Sequence, residues 1–428
     1  MIGLMEPSNL TASEAARAIA SGELTSEALL QSCLEQIYKL DEEVKAFTHV
    51  ADVSALETAR KLDQLSSKGA LHGIPFAAKD IIDSHDMPTS YGSAIYANAQ
   101  PVTDASCIAL ARRSGGVLLG KTVTTEFANL TPNQTRNPID TNRTPGGSSS
   151  GSAAAVAAGM VPVAFGTQTT QSTIRPAAFC GVHGYNPTTG HFRMSGVREA
   201  AGTFDRLGLI TRSLEDIQLV RDLLLLRPAN TFKISPKPPR IAFCRSHLWN
   251  EVDGFYRSEI ETAIKQLRVA GASVKEIELP SEFKNLPEAH RWISSFEFAR
   301  NFAFEIDVHW EKISPQLRKG RIADGLNCTT ERYFESLNFM RSAMTMIPTL
   351  FDETDVIVTA STLGSAPIGI EATGSAAIGS IWTPLHLPCV TLPVFKTPEG
   401  LPLGLQVLGP LHSDDKLLPN AAWIEHSL

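Results

Sequence analysis

Two serine-bearing loops flank a small-residue run and an apolar run in the middle of the chain. The first loop is Gly146-Gly147-Ser148-Ser149-Ser150-Gly151-Ser152. The second covers 166–172 and ends in Ser172, followed by Thr173, Ile174, Arg175 and Pro176. A serine becomes a nucleophile when a base takes its proton and preorganised donors receive the developing oxyanion. Ser172 ends a loop whose consecutive backbone N–H groups could converge on one oxygen. Two kinds of base are on offer. His183 and His191 follow soon after the loop, so a Ser-His-Asp arrangement through His183 stays open. Lys79 stands inside the apolar run 73–83, where burial would lower its pKa toward neutrality and free a lone pair. The same run also reads as a strand whose terminal lysine reaches out to water.

Other chemistries lack their patterns. There is no GxSxG elbow, HExxH pair or Walker sequence. The Gly/Ser loop has the composition of a phosphate cradle, but no P-loop lysine follows it. The six cysteines, Cys33, Cys107, Cys180, Cys244, Cys328 and Cys389, are scattered without a CxxC pair, so neither a zinc site nor a disulfide framework is expected. No metal or cofactor is called for. The net charge of −7 and the lack of a basic cluster interleaved with aromatics argue against a nucleic-acid surface. The N-terminal residues lack the basic and apolar regions of a secretory signal, and no run is long and apolar enough to span a bilayer. The expectation is a soluble cytoplasmic protein with a small-molecule partner.

Positioning these residues falls to alternating helices and strands, which gives an α/β class. The first 65 residues read as helices, over 11–21, 26–39 and 53–65, with a capping-box pattern from Thr11 to Glu14. Strands are predicted near 73–83, 116–121, 161–165, 240–245, 273–279, 355–359, 389–394 and 404–408. Helices are predicted over 104–114, 153–160, 209–226, 258–270 and 415–428, with a short helix or turn over 122–129. The unit 240–279 reads as βαβ and predicts parallel pairing. The segment 280–350 is helical and polar with several aromatics. No linker is evident, so one domain over 1–428 is expected, with N-terminal helices in 1–65, a core in 66–225 and the 280–350 segment lining the substrate entrance.

Four stretches in order, GIPFAAKDIID, TPGGSSSGSAAAVAAG, GTQTTQSTIRPAAFCG and LPLGLQVLGP, resemble the amidase signature family. The likeness runs from about Leu71 to the C-terminus and is weakest over 280–349. The short length, the GTQT run and an arginine three residues after the serine look most like malonamidase. The resemblance implies a mixed, mostly parallel sheet flanked by helices on both faces. It also implies a Ser–cis-Ser–Lys triad. Ser172 matches the nucleophile, Ser148 the bridging serine after a cis peptide, and Lys79 the base. Backbone N–H groups of Thr169, Thr170, Gln171 and Ser172 would form the oxyanion hole, with Ser149 and Ser150 in support. Thr170, Gln171 and Arg175 would meet the substrate. Arg175 reads equally as a carboxylate binder and as an arginine bonded to loop carbonyls. One departure stands beside the nucleophile: the family carries Gly-Gly where this chain has Thr170-Gln171, and a left-handed backbone at either position would strain these side chains.

The expected activity is hydrolysis of a linear C–N bond in a small amide, with a carboxylate-bearing half-amide of the malonamate kind as the leading substrate. Ureides, biuret-like compounds, hydrazides and aryl amides are alternatives. Two other classes stay in play: a subunit of a tRNA-dependent amidotransferase, and a non-catalytic binding homologue. A homodimer is left open. The aromatics Trp292, Phe296, Phe302, Trp310, Tyr333 and Trp382 are either core or pocket wall.

Overall fold

Apolar runs too short for helices pair into one sheet of eleven strands in a computed structural model, which describes residues 6–65 and 69–428. In chain order these are β1 Phe47–Val50, β2 Pro75–Lys79, β3 Val117–Thr122, β4 Val163–Gln168, β5 His183–Asn186, β6 Arg206–Thr211, β7 Arg240–Cys244, β8 Ser273–Ile277, β9 Val356–Ala360, β10 Cys389–Lys396 and β11 Pro402–Leu408. Their order across the sheet is β1-β3-β2-β4-β6-β5-β10-β11-β9-β7-β8. The sheet is mixed, as expected, but not mostly parallel. Parallel pairing is confined to β2 with β3 and β4, and to β7 with β8 and β9. The remaining junctions are antiparallel. Strands β2, β3, β4, β6 and β9 are buried along their whole length, which is why they read as continuous apolar runs rather than alternating ones.

The N-terminal helices Ala12–Ser21, Ser26–Val44 and Asp52–Asp63 pack onto this core through Leu29, Leu30, Leu34 and Ile37, among others. The capping box is formed: Thr11 Oγ1 accepts from the Glu14 N–H, and the Glu14 carboxylate accepts from the Thr11 N–H. The first 65 residues are not all helical, because Phe47–Val50 adds an edge strand antiparallel to β3. The predicted helix over 209–226 is also shorter. Residues through Thr211 belong to β6, and the helix is Leu214–Leu224, capped by Ser213. A short apolar run flanked by a helical one is ambiguous by periodicity, and sheet pairing settles it.

Two boundary shifts shape the site. The small-residue helix starts earlier than expected, at Ser150, and ends at Ala157. Strand β4 begins later and extends to Gln168, which puts Thr167 on the strand rather than in a loop. Within the helix Gly151 is pressed against the Ala46 carbonyl and the Val123 N–H, leaving no room for a Cβ. Gly151→Ala must therefore move backbone rather than a side-chain tip, at a cost of about 1–3 kcal/mol. A denaturation midpoint equal to the parent's would contradict this packing.

Candidate active site

Lys79 is the last residue of β2 and is fully buried. Its Nζ donates to Ser148 Oγ at 2.7 Å and to Thr167 Oγ1 at 2.7 Å. Neither partner carries a charge, and no carboxylate lies within ion-pair distance among the described residues. Burial therefore pushes the amine down to about 7, with Asp205 pulling partly in the other direction. The reading of Lys79 as a solvent-reaching side chain does not hold. The neighbouring lysine on β3 differs in one respect. Lys121 is equally buried but lies 3.2 Å from Asp80 and donates to Thr89 Oγ1 at 2.6 Å. Burial lowers the pKa of Lys121 too, but Asp80 pulls it back up, so Lys79, with no acid in contact, is the one better suited to accept a proton.

The serines divide by what they bond. Ser149 Oγ donates to the Thr167 carbonyl, Ser150 Oγ to Gly146 and Ser152 Oγ to Phe165, so these three fix the loop to the helix and β4. Ser148 follows a cis peptide from Gly147, and its hydroxyl bonds Lys79 alone. The Ser149 N–H donates to the Ser172 carbonyl at 3.2 Å and ties the two loops together. The Ser172 hydroxyl has no hydrogen-bond partner among the described residues and lines a cavity of about 140 Å³. Lys79 and Ser148 are thus hydrogen-bonded, whereas Ser148 and Ser172 are not hydrogen-bonded to each other. Catalytic hydrogen bonds often tighten only around a bound substrate, and a serine hydroxyl swings by rotation about one bond.

Beside Ser172 the backbone is free to receive an oxyanion. The N–H groups of Thr170, Gln171 and Ser172 donate to nothing among the described residues. Gln168 lies next to them, and its carboxamide oxygen takes the N–H groups of Thr173 and Ile174 instead. Thr170 and Gln171 both avoid the left-handed region, so replacing Gly-Gly leaves no backbone strain there. The Gln171 side chain is buried and donates to the Ser361 carbonyl, away from the Ser172 cavity, so it is not placed to touch a substrate there. Thr169 and Thr170 do line the cavity. Its lining also includes Ala128, which with Phe127 makes two successive left-handed residues.

Arg175 lines the same cavity. Its guanidinium donates to the carbonyls of Gly374 and Gly147 at 2.7 and 2.6 Å and to Thr373 Oγ1 at 3.1 Å, while its buried Nε has no partner. Burial pushes it down to about 10, so it remains a cation at neutral pH without an acid beside it. A second cavity-lining arginine, Arg321, makes no side-chain hydrogen bond or ion pair among the described residues. It comes from the turn Arg318–Ile322 within the helical 280–350 segment, and burial pushes it too down to about 10. No local motif marks Arg321, and sequence reasoning missed it. It also missed Thr167 and Asp205. The Asp205 carboxylate accepts from Thr169 Oγ1 and from the N–H groups of Ala200 and Ala201, and burial pushes it up to about 6.

Other candidates disperse. His183 bonds Glu425 on the C-terminal helix at 2.6 Å and does not line the Ser172 cavity, so no triad forms through it. Phe296 stacks on Tyr333 with ring centroids 4.1 Å apart, Phe302 and Trp382 are buried in core clusters, and Trp310 is exposed. None of these, nor Trp292, lines the Ser172 cavity. A larger cavity of about 620 Å³ along Asp41, Thr48, Ser90 and Asn133 is lined by none of Ser148, Ser172 and Lys79. No helix among the described residues is long and apolar enough to cross a membrane.

Known proteins share this sequence pattern and this fold. The family model described as Amidase matches residues 28–418. The chain is 32% identical to a glutamyl-tRNA(Gln) amidotransferase chain of Chloroflexus aggregans, the A component of that enzyme, over 94% of this chain and 92% of that one. Among solved structures, a crystal structure of an amidase superposes with a TM-score of 0.89 at 26% identity, covering 98% of this chain and 100% of the other. The native peptide amidase from Stenotrophomonas maltophilia superposes with a TM-score of 0.83 at 27% identity, covering 98% and 96%. The special likeness to malonamidase is not supported, since curated relatives at this level are amidotransferase subunits. The chain belongs to the amidase signature family.

Proposed function

We propose that this protein cleaves the C–N bond of a small amide that carries an anionic group, through an acyl-enzyme on Ser172. The observation that carries the reading is the buried Lys79 amine, bonded to Ser148 and free of any carboxylate partner. In this scheme neutral Lys79 takes the Ser148 proton while Ser148 takes the proton of Ser172. The Ser172 oxygen bonds to the amide carbon, and the oxyanion is met by backbone N–H groups of the 169–172 loop. The tetrahedral species collapses as the C–N bond breaks, and the proton returns through Ser148 to the leaving nitrogen. Water then repeats the addition on the ester and releases the acid, with Lys79 and Ser148 again moving the proton.

Arg175 and Arg321 support the anionic group. Two guanidinium cations that form no ion pair among the described residues line one small cavity with Ser172, although Asp205 and Asp324 act on Arg321 from farther off. The likeness to amidotransferase subunits, 31–32% identity over nearly the full chain, favours a second reading of where the ammonia goes. In an assembly of that kind the protein would pass the ammonia to partner chains rather than release it. The amide chemistry at Ser172 is the same in both readings.

Ammonia release from malonamate, succinamate and glutamine, against propionamide as a neutral amide, tests the substrate class. Anionic amides should be preferred by about tenfold or more, a charge-assisted contact supplying roughly 1.5–3 kcal/mol. Arg321→Met should raise KM for them and leave the neutral amide nearly unchanged. Equal turnover of neutral and anionic amides would refute the anionic class. Co-purification with partner subunits, with ammonia release only in the complex, would favour the amidotransferase reading.

The Lys79 setting gives a sign for pH dependence. Below about 7 the amine is protonated and cannot accept the Ser148 proton, so kcat/KM should rise with pH through a limb near 7. Lys79→Ala should lower kcat/KM by about a hundredfold or more. An unchanged acid limb in Lys79→Ala would show that another group is the base.

A further inference from the structure

The loop that carries the free N–H groups is held from behind by its carbonyls. The Thr169 carbonyl accepts from His290 Nε2 at 2.9 Å, and the Thr170 carbonyl accepts from Thr383 Oγ1 at 2.6 Å. His290 belongs to the helix Leu286–Asn301 and Thr383 to the turn Thr383–Leu385. Both side chains are buried. A trans peptide is planar and points its C=O and the following N–H in opposite directions. Fixing the Thr169 carbonyl therefore aims the Thr170 N–H, and fixing the Thr170 carbonyl aims the Gln171 N–H. These N–H groups donate to nothing else among the described residues.

The two donors stand on one packed unit. The His290 ring stacks on Phe204 with centroids 4.4 Å apart, and Phe204 stacks on His386 at 6.2 Å. The His386 N–H returns to the Thr383 carbonyl at 3.0 Å. Facing a carbonyl, the imidazole must carry its proton on Nε2, because the carbonyl only accepts. Burial pushes His290 down to about 3, so the ring is neutral at any working pH and serves as a fixed donor rather than a base. Thr169 is held at its side chain as well, where Oγ1 donates to Asp205.

We propose that His290 and Thr383 are positioning residues of the oxyanion hole, which hold the Thr169 and Thr170 carbonyls so that the Thr170 and Gln171 N–H groups face the reacting carbonyl. The role rests on Ser172 being the nucleophile. Through His290 the helical segment that least resembles the family braces the loop in which Thr170-Gln171 replaces two glycines, the residues that would leave that backbone most free.

The test is the rate at which a fluorophosphonate labels Ser172 in the full-length protein. Labelling forms a serine O–P bond, expels fluoride and hands the serine proton to the relay, while the phosphoryl oxygen occupies the oxyanion hole. His290→Phe keeps a ring on Phe204 but removes the donor, and should slow labelling about tenfold or more, short of the about 10²–10³ lost when a hole donor is deleted outright. His290→Gln retains an N–H donor and should stay within about threefold of the parent. Thr383→Val should slow labelling and Thr383→Ser should not, a pair that serves where a His290 variant does not fold. Labelling of His290→Phe or Thr383→Val at the parent's rate, or an equal loss in Gln and Phe variants, overturns the proposal. An unlabelled parent overturns the Ser172 nucleophile itself, whereas a labelled parent with indifferent variants overturns the positioning role alone.

Discussion

A primary amine enclosed by protein with no carboxylate to pair it is the constraint on which this site depends. An ammonium in that position has lost its water and gained no counter-ion, which costs several kcal/mol in proteins. The amine lowers that cost by giving up its proton, and two hydroxyls, on Ser148 and Thr167, supply its polar contacts. Asp205 is near enough to offset part of the shift and is itself pushed up by burial. On the adjacent strand Lys121 takes the other solution, with Asp80 at 3.2 Å. Burial lowers the pKa of both lysines, but Asp80 opposes the shift directly at Lys121, whereas the direct partners of Lys79 are alcohols.

Holding Lys79 there requires a particular set of neighbours. Strand β2 runs between β3 and β4, both parallel to it, so its end is walled on each side. The helix Ser150–Ala157 lies across these strands and is built from serine, glycine, alanine and a valine. Larger side chains would lift it off the sheet and move Ser148 away from the amine. The serines of its first turn spend their hydroxyls on Gly146 and Phe165, which leaves Ser148 as the one aimed at Lys79.

Charge in the cavity completes the picture. Arg175 is buried among loop carbonyls, so it holds the Gly147 peptide in place and presents a cation to the cavity at the same time. Of the two readings weighed for it, its hydrogen bonds match the arginine bonded to loop carbonyls, and carboxylate binding belongs to the proposed function. Arg321 is free of such bonds and belongs to a segment far away in sequence. Together they bring two cations to the cavity that Ser172 lines, the feature on which the proposed anionic substrate rests.

Much of this was legible before any fold was known. Composition and alternation of elements gave the α/β class, and the motif residues gave Lys79, Ser148 and Ser172 in order. Local rules work there because glycine, serine and short apolar runs restrict backbone and packing within a few residues. The strand β1, the true length of β6 and the balance of parallel and antiparallel pairs were not legible, since an edge strand takes its identity from the partner it finds. Arg321, Asp205, Thr167 and His290 were missed for the same reason. The sequence by itself determined which atoms can react. Tertiary structure alone decided that Lys79 loses its water, that Gln171 turns away while Arg321 turns in, and that the Thr169 and Thr170 carbonyls are held by His290 and Thr383. Burial and hydrogen-bond direction are properties of what surrounds a residue, and those surroundings come from parts of the chain 69 to 213 residues away.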